Sequence, residues 1–257
     1  AISGLIEAYK LTNNQLYYKS AKKSYAFIKE KMWKDNKLYA CYHDKPQFDG
    51  YLDDYAFLSK ACLDLLRINW DNDEYIFLIQ LVDKVLENFQ DKDNGGFYFS
   101  SVDQKDLIYR PKSFMDESMP SGNSMMANIL SEIYGLTGES KYLEAMDNTF
   151  KAASDSIERS NVSHCSLYIN ANTPLTSKRL VIIKCDKEDI DDYKDKIYKI
   201  EDFRDSIYFL DHTINSPVES INQKKCFNKF TAYICENNVC SEPIKDFNSL
   251  QKRLLNE

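Results

Sequence analysis

A unit of two amphipathic helices followed by a polar, aromatic-rich return recurs nearly three times between residue 1 and about residue 160. A repeat of this kind restricts the chain to folds that stack like units side by side, because one helical hairpin cannot bury its apolar face alone. The first copy begins AISGLIEAYKLTNN. It continues through LYYKSAKKSYAFIKEKM, where Tyr18, Ala21, Tyr25, Ile28 and Met32 recur at spacings of three and four and predict one buried face. The second runs LDDYAFLSKACLDLLRI, with Leu58, Cys62, Leu65 and Ile68 as its stripe. Asp71 and Glu74 then predict a capping box ahead of a helix whose Tyr75, Ile79, Val82, Leu86 and Phe89 repeat the seam. The third follows PSGNS, with Met126, Ile129 and Ile133 on one helix and Tyr142, Met146, Phe150 and Ala153 on the next.

The connections repeat as well. GLTGESKY aligns with KLTNNQLYY, and KMWKDNKLYACY aligns with FQDKDNGGFYFS, each of the latter a polar turn followed by alternating aromatics that predicts a short β-hairpin. Paired helices separated by long returns are what an (α/α)6 toroid uses, and three hairpins make about half of such a ring. Beyond Ser160 the pattern changes. LVIIK at 180–184, SIYFL at 206–210 and FTAYIC at 230–235 predict strands of an α/β unit, closed by the helix DFNSLQKRLL with Asp246 as its N-cap. The expectation is therefore a mainly α chain, with a partial toroid over 1–165 and a small C-terminal α/β unit over 178–257. The Asn, Pro and Ser of SLYINANTPLTSK mark a linker near 165–178. Ala1 has no Met before it and Ile2, Leu5, Ile6 and Tyr9 already read as helix, so further chain upstream is expected.

Composition narrows the function. A formal charge of −7 with scattered basic residues argues against a nucleic-acid partner, and the mixed run Lys187 to Lys199 reads as a solvated helix face. No apolar stretch approaches the ~18 residues a membrane span requires, and no leader pattern opens the chain. Seven cysteines, several inside apolar patterns, fit a reducing, cytoplasmic setting. Eighteen Tyr and fourteen Phe either cement helix packing or line a ring-binding cleft.

Three groups of residues carry candidate chemistry. Asp53 and Asp54 enter the second copy's first helix, where they serve either as helix-start carboxylates or as an acid/base pair facing a toroid mouth. Arg110, Lys112, Asp116, Glu117, Ser121, Asn123 and Ser124 gather ahead of the third copy, either as loop and cap residues or as a ligand-facing cluster. Cys235 and Cys240 lie too far apart for a thioredoxin-type pair, and zinc would need two more ligands, which Cys226 and His212 offer only with unconstrained spacing. They read as a reduced structural pair, with a disulfide across a strand turn still geometrically open. His43, His164 and His212 stand alone, without a triad, and seven Gly offer no phosphate loop.

GYLDDYAFL, NGGFYFS, RPKSFMDESMPSGNS and TAYICENNVCSEPIKD, in this order, resemble the C-terminal half of the thioredoxin-domain family typified by spermatogenesis-associated protein 20 and its bacterial YyaL-like members. The resemblance implies an upstream thioredoxin-like domain and a toroid similar to six-hairpin glycosidases and N-acylglucosamine 2-epimerases. It also implies that Asp53, Asp54, Tyr55, Arg110, Lys112, Asp116, Ser121, Asn123 and Ser124 face the toroid mouth. Two positions depart from the family: Ile2-Ser3-Gly4-Leu5 stands where relatives read Trp-Asn-Gly-Leu, and Glu117 where they tend to have Gly. The implied function is carbohydrate-active or sugar-binding, with Asp53 or Asp54 and Asp116 as acid and base, Arg110 as an orienting cation, and no cofactor or metal. The alternative is a non-catalytic module that presents a client to the thioredoxin-like domain. An active site is not implied by fold resemblance alone.

Overall fold

The structure, a computed structural model, describes residues 1–104, 107–172, 178–236 and 239–255, without the side chains of 171 and 172. Three helical hairpins come first: α1 (Ile2–Thr12) with α2 (Gln15–Phe27), α3 (Leu52–Ile68) with α4 (Asn72–Asn88), and α5 (Gly122–Thr137) with α6 (Ser140–Arg159). Helix α3 packs between α1 and α5, so α1, α3 and α5 form one layer and their partners lie behind. The repeat extends to its turns. Asn13 and Gly138 both take left-handed conformations after α1 and α5, and Thr12 and Thr137 each donate a hydroxyl to the carbonyl four residues back.

The predicted stripes face the core, with Tyr18, Ile28, Met32, Ile79, Leu86 and Phe150 only partly buried, but α3 is apolar beyond its stripe. Leu63 and Leu66 are fully enclosed as well, because a helix with neighbours on both sides has little solvent face to spare. Each such side chain contributes about 1.5–3 kcal/mol of burial. Asp71 caps α4 through the N–H groups of Asp73 and Glu74. The reciprocal half of the expected capping box is missing, since Glu74 instead accepts from Tyr25 Oη at 2.6 Å and pairs with Lys29 at 3.0 Å, fastening α4 to α2.

The first return forms a three-stranded antiparallel sheet of β1 (Trp33–Lys34), β2 (Lys37–His43) and β3 (Lys45–Asp49). Its counterpart at 90–98 departs from the expected hairpin and keeps a single bridge, Gln90 to Phe97. There the backbone turns through Gly95 and Gly96 at φ 76° and 75° and hands its hydrogen bonds to other loops, as Phe99 N–H does to Pro111 O at 2.7 Å.

Of the expected linker over 165–178, residues 173–177 lie outside the described residues. The segment before them is helix α7 (Cys165–Asn172), held on the helical layer by fully buried Leu167. The α/β unit follows as β4 (Arg179–Cys185), α8 (Ile190–Ile197), β5 (Asp205–Asp211), a short α9 (Glu219–Asn222), β6 (Phe230–Glu236), β7 (Val239–Cys240) and α10 (Phe247–Leu255). Its sheet has the order β5-β4-β6-β7, with β4 parallel to β5 across the α8 crossover and antiparallel to β6. The apolar run of β4 divides by alternation. Leu180 and Ile182, with Tyr208, Leu210 and Tyr233, join the helical core, whereas Val181 and Ile183, with Ile207 and Phe209, lie in the core that α8 and α10 complete.

This sheet meets the carboxyl ends of the inner layer. Tyr9 stacks edge-on with Tyr198, Lys10 pairs with Glu201, Arg67 pairs with Glu132 and hydrogen-bonds Ser206, and Ser220 donates to Leu136 O. One consequence is that α1, α3 and α5 run in the same direction, with their amino ends gathered on the opposite side.

The β6–β7 register sets Cys235 opposite Cys240 with Cα atoms 3.9 Å apart, and the two are joined as a disulfide. The expected reduced pair is thus corrected, because antiparallel pairing brings together what sequence spacing left apart. The other five cysteines are unpaired.

Candidate functional site

The amino ends of α3 and α5 lie against each other and against the second return. Leu52 N–H donates to Phe99 O at 2.9 Å, and Tyr51 stacks on Phe99 with centroids 4.7 Å apart. The two carboxylates that follow have different tasks. Asp54 Oδ2 accepts the Tyr51 N–H at 2.8 Å, which is a cap. Asp53 reaches across to α5, where it accepts the Gly122 N–H, and a Cβ on Gly122 would overlap the Asp53 carboxylate and come within 2.9 Å of Leu52 Cδ2. Only glycine leaves room for this contact.

Burial raises the Asp53 pKa, the neighbouring Asp54 charge adds to it, the Gly122 N–H opposes it, and Glu117 raises it further. Burial also raises Asp54, against the Tyr51 N–H. Two hollows flank Asp53. One of about 470 Å³ is lined by Phe99, Met115, Glu117 and Ser121, and the other, of about 740 Å³, by Ile2, Ile28, Met32 and Asp54. Asp53, Phe57 and Met119 line both.

Most of the remaining sequence-singled residues hold the loops in place. Asp116 accepts the N–H groups of Ser121 and Ser166, each at 2.8 Å, and lines neither hollow. Burial would raise its pKa, but those two N–H groups outweigh it and keep the carboxyl below its ordinary value. Ser121 caps α5 through the Ser124 N–H. Asn123 is 1% exposed, and its amide accepts from Phe97 N–H and donates to Phe97 O and Ser113 O. Ser124 is buried behind it, and buried Tyr55 accepts the Leu38 N–H at 2.9 Å. Arg110 donates to Ser100 O and Asn88 O and lies 4.2 Å from the centre of the Tyr98 ring. Lys112 pairs with Asp91 at 2.8 Å and donates to Gly95 O.

Asp91 links this loop to acid stability. Burial raises its pKa, yet Lys112 and the Asn94 N–H bring it well below the ordinary carboxylate value. A carboxyl lowered by folding stabilises fully above its unfolded pKa of about 4, and that stabilisation is lost as pH falls through the folded value. Asp91→Asn should therefore lower stability at neutral pH and flatten the acid limb of a stability–pH curve. An unchanged acid limb would show that the pair adds nothing.

Glu117, Phe57, Phe99 and Met119 face the hollows without having been singled out for it, apart from Glu117's place in the loop cluster. Phe57 carried a usable signal, since it follows Asp53 by four residues and so shares its helix face. His212, expected to stand alone, has its Nδ1 3.2 Å from Asp186 because the end of β5 lies beside the end of β4. Among the described residues no group of three His, Cys, Asp or Glu side chains is placed to hold a metal, and no helix is long and apolar enough to cross a membrane.

With inner helices in a parallel layer and a hollow at their amino ends, comparison with known proteins becomes informative. The chain is similar to spermatogenesis-associated protein 20. Identity to the Homo sapiens protein is 25% over 225 residues, covering 82% of this chain and 28% of that protein. Spermatogenesis-associated protein 20 of Rattus norvegicus is 28% identical over 218 residues, covering 80% of this chain and 27% of its own length. The chain thus spans little more than a quarter of these relatives. No family model matches it. Among solved structures, a GH76 alpha-mannanase from Bacteroides thetaiotaomicron aligns with a TM-score of 0.53 and 19% identity, covering 66% of this chain and 48% of that one. That neighbour is an α/α toroid, and a likeness at this identity speaks for the fold alone.

Proposed function

We propose that the hollows at the amino ends of α3 and α5 bind a sugar or sugar-like hydroxylated ring, in a toroid of the six-hairpin type. Membership of the thioredoxin-domain family with its YyaL-like members belongs to the same reading. The observation that carries it is the placement of Asp53, a half-buried carboxyl with a raised pKa, on the wall common to both hollows. A carboxyl that keeps its proton to higher pH donates a hydrogen bond to a ring or glycosidic oxygen, and a second carboxylate nearby accepts from a hydroxyl or a water. Asp54 and Glu117 are the neighbours suited to that second task, because Asp116 has both oxygens engaged by backbone N–H groups. Phe57 and Phe99 offer apolar faces for the C–H side of a sugar ring.

The test titrates the full chain with α-mannosides and N-acetylhexosamines by calorimetry. Asp53→Asn is expected to weaken the bound saccharide by about tenfold, or about 1.4 kcal/mol, with the melting temperature nearly unchanged. Absence of any saccharide binding, or equal binding by the variant, rejects the assignment. Asp116→Asn should instead lower the melting temperature, through loss of the loop staple.

A further inference from the structure

A second cavity, of about 280 Å³, lies at the other end of the inner helices, enclosed between α5, α7 and the first residues of β4 and β5. Its electrostatics run against those of the chain. The protein carries a formal charge of −7, yet Arg67, Lys178, Arg179 and Arg204 line this cavity against a single carboxylate, Glu132. Three of the four cations are answered. Arg67 makes a two-pronged pair with Glu132 at 2.8 and 2.7 Å, Arg179 does the same with Asp205 at 2.6 and 2.9 Å, and Arg204 pairs with Asp202 at 2.8 Å.

Lys178 is the one that remains. Its ammonium donates to Ser131 Oγ at 3.1 Å and Asn170 Oδ1 at 3.4 Å, both neutral, and no carboxylate among the described residues pairs with it. The neighbouring sequence ANTPLTS, residues 171–177, has no acidic residue. Glu132 is too engaged to serve, with Arg67 on both oxygens and the Tyr208 hydroxyl donating to one. Burial lowers the Lys178 pKa and the Glu132 charge only partly restores it, as expected for an ammonium short of a counter-ion. A desolvated, unpaired charge costs stability, and proteins retain such groups where a ligand completes them.

We propose that this cavity is a binding site for a small monoanionic molecule, a carboxylate carried on an apolar or aromatic body, with Lys178 as the counter-ion of the carboxylate. The one cavity cation left unanswered among the described residues matches a monoanion. A phosphate dianion would bring one negative charge too many, since the arginines are committed to their own carboxylates. Ser131 supplies a hydroxyl beside the ammonium, and Tyr134, Leu180 and exposed Phe203 supply the apolar wall for the body. The site shares no residue with the hollows around Asp53 and does not depend on the reading given to them.

Titration of the full chain with benzoate, acetate and inorganic phosphate tests the proposal. Benzoate is expected to bind more tightly than acetate, and acetate more tightly than phosphate. Lys178→Met should weaken benzoate by about tenfold or more while leaving the melting temperature level or higher, because it removes a partly desolvated charge that no carboxylate among the described residues answers. Lys178→Gln retains a donor for Ser131 and Asn170 without the charge and should weaken benzoate to the same degree, which separates charge recognition from misfolding. No benzoate binding, binding that survives both substitutions, or phosphate binding more tightly than benzoate would each overturn it. Saccharide binding measured in the same samples lets the two sites fail separately.

Discussion

Glu132→Ala lowers the unfolding free energy by about 3–5 kcal/mol, as expected when one member of a buried charge network is removed and the other is stranded. Glu132 lies on α5, Arg67 on α3 and Tyr208 on β5, so a single carboxylate ties two helices to the sheet. Its side chain is 5% exposed. The alanine leaves the Arg67 guanidinium without its carboxylate partner and an enclosed Tyr208 hydroxyl without the acceptor it donates to. Trp70 packs edge-on against Tyr208 with centroids 5.6 Å apart, so its fluorescence in a urea titration reports this junction directly. Tyr208→Phe should cost less, because it removes a donor and leaves the charge pair whole. A loss of under about 1 kcal/mol for the alanine would mean that this charge network adds little to the junction.

Gly95→Ala is expected to cost about 2–5 kcal/mol, from about 1–2 for a left-handed backbone and about 1–3 for overpacking. At φ 76° an added Cβ would strike the backbone of α6, within 2.9 Å of Asn148 C, and a helix backbone cannot rotate away as a side chain does. Gly138 provides the control. It has a similar φ of 73° but open space around it, so Gly138→Ala should cost only the backbone share. Comparing the two variants by thermal and urea denaturation separates strain from collision, and equal losses would refute the collision. Because Gly95 sets the return that carries Phe99 to the hollow, the alanine should also weaken any saccharide bound there.

The residues around Asp53 illustrate how far a sequence can be read. That LDDY opens a helix, and that PSGNS caps another, follows from local rules and holds in the structure. Which carboxylate caps its own helix and which reaches across to α5 does not follow. Asp53 and Asp54 are adjacent and chemically equal, and only the approach of α5, with Gly122 at its first turn, separates them. Asp116 looked as suitable as Asp53 and turned out to hold the N–H groups of Ser121 and of Ser166, the latter 50 residues away, a contact for which no local pattern exists. Lys178 went unremarked for the same reason, since an unpaired cation becomes visible only when the partners of every other cation are known.

The amino-acid sequence by itself determined the three hairpins, their turns and the strands of the α/β unit that follows them. These rest on periodicity, caps and turn chemistry, which act over a few residues along the chain. The tertiary structure alone decided that the sheet seats on the carboxyl ends of α1, α3 and α5, that Cys235 bonds to Cys240, and which polar side chains face a cavity and which are spent on backbone groups. Those outcomes depend on distances between segments far apart in sequence, and burial and charge pairing are properties of such distances.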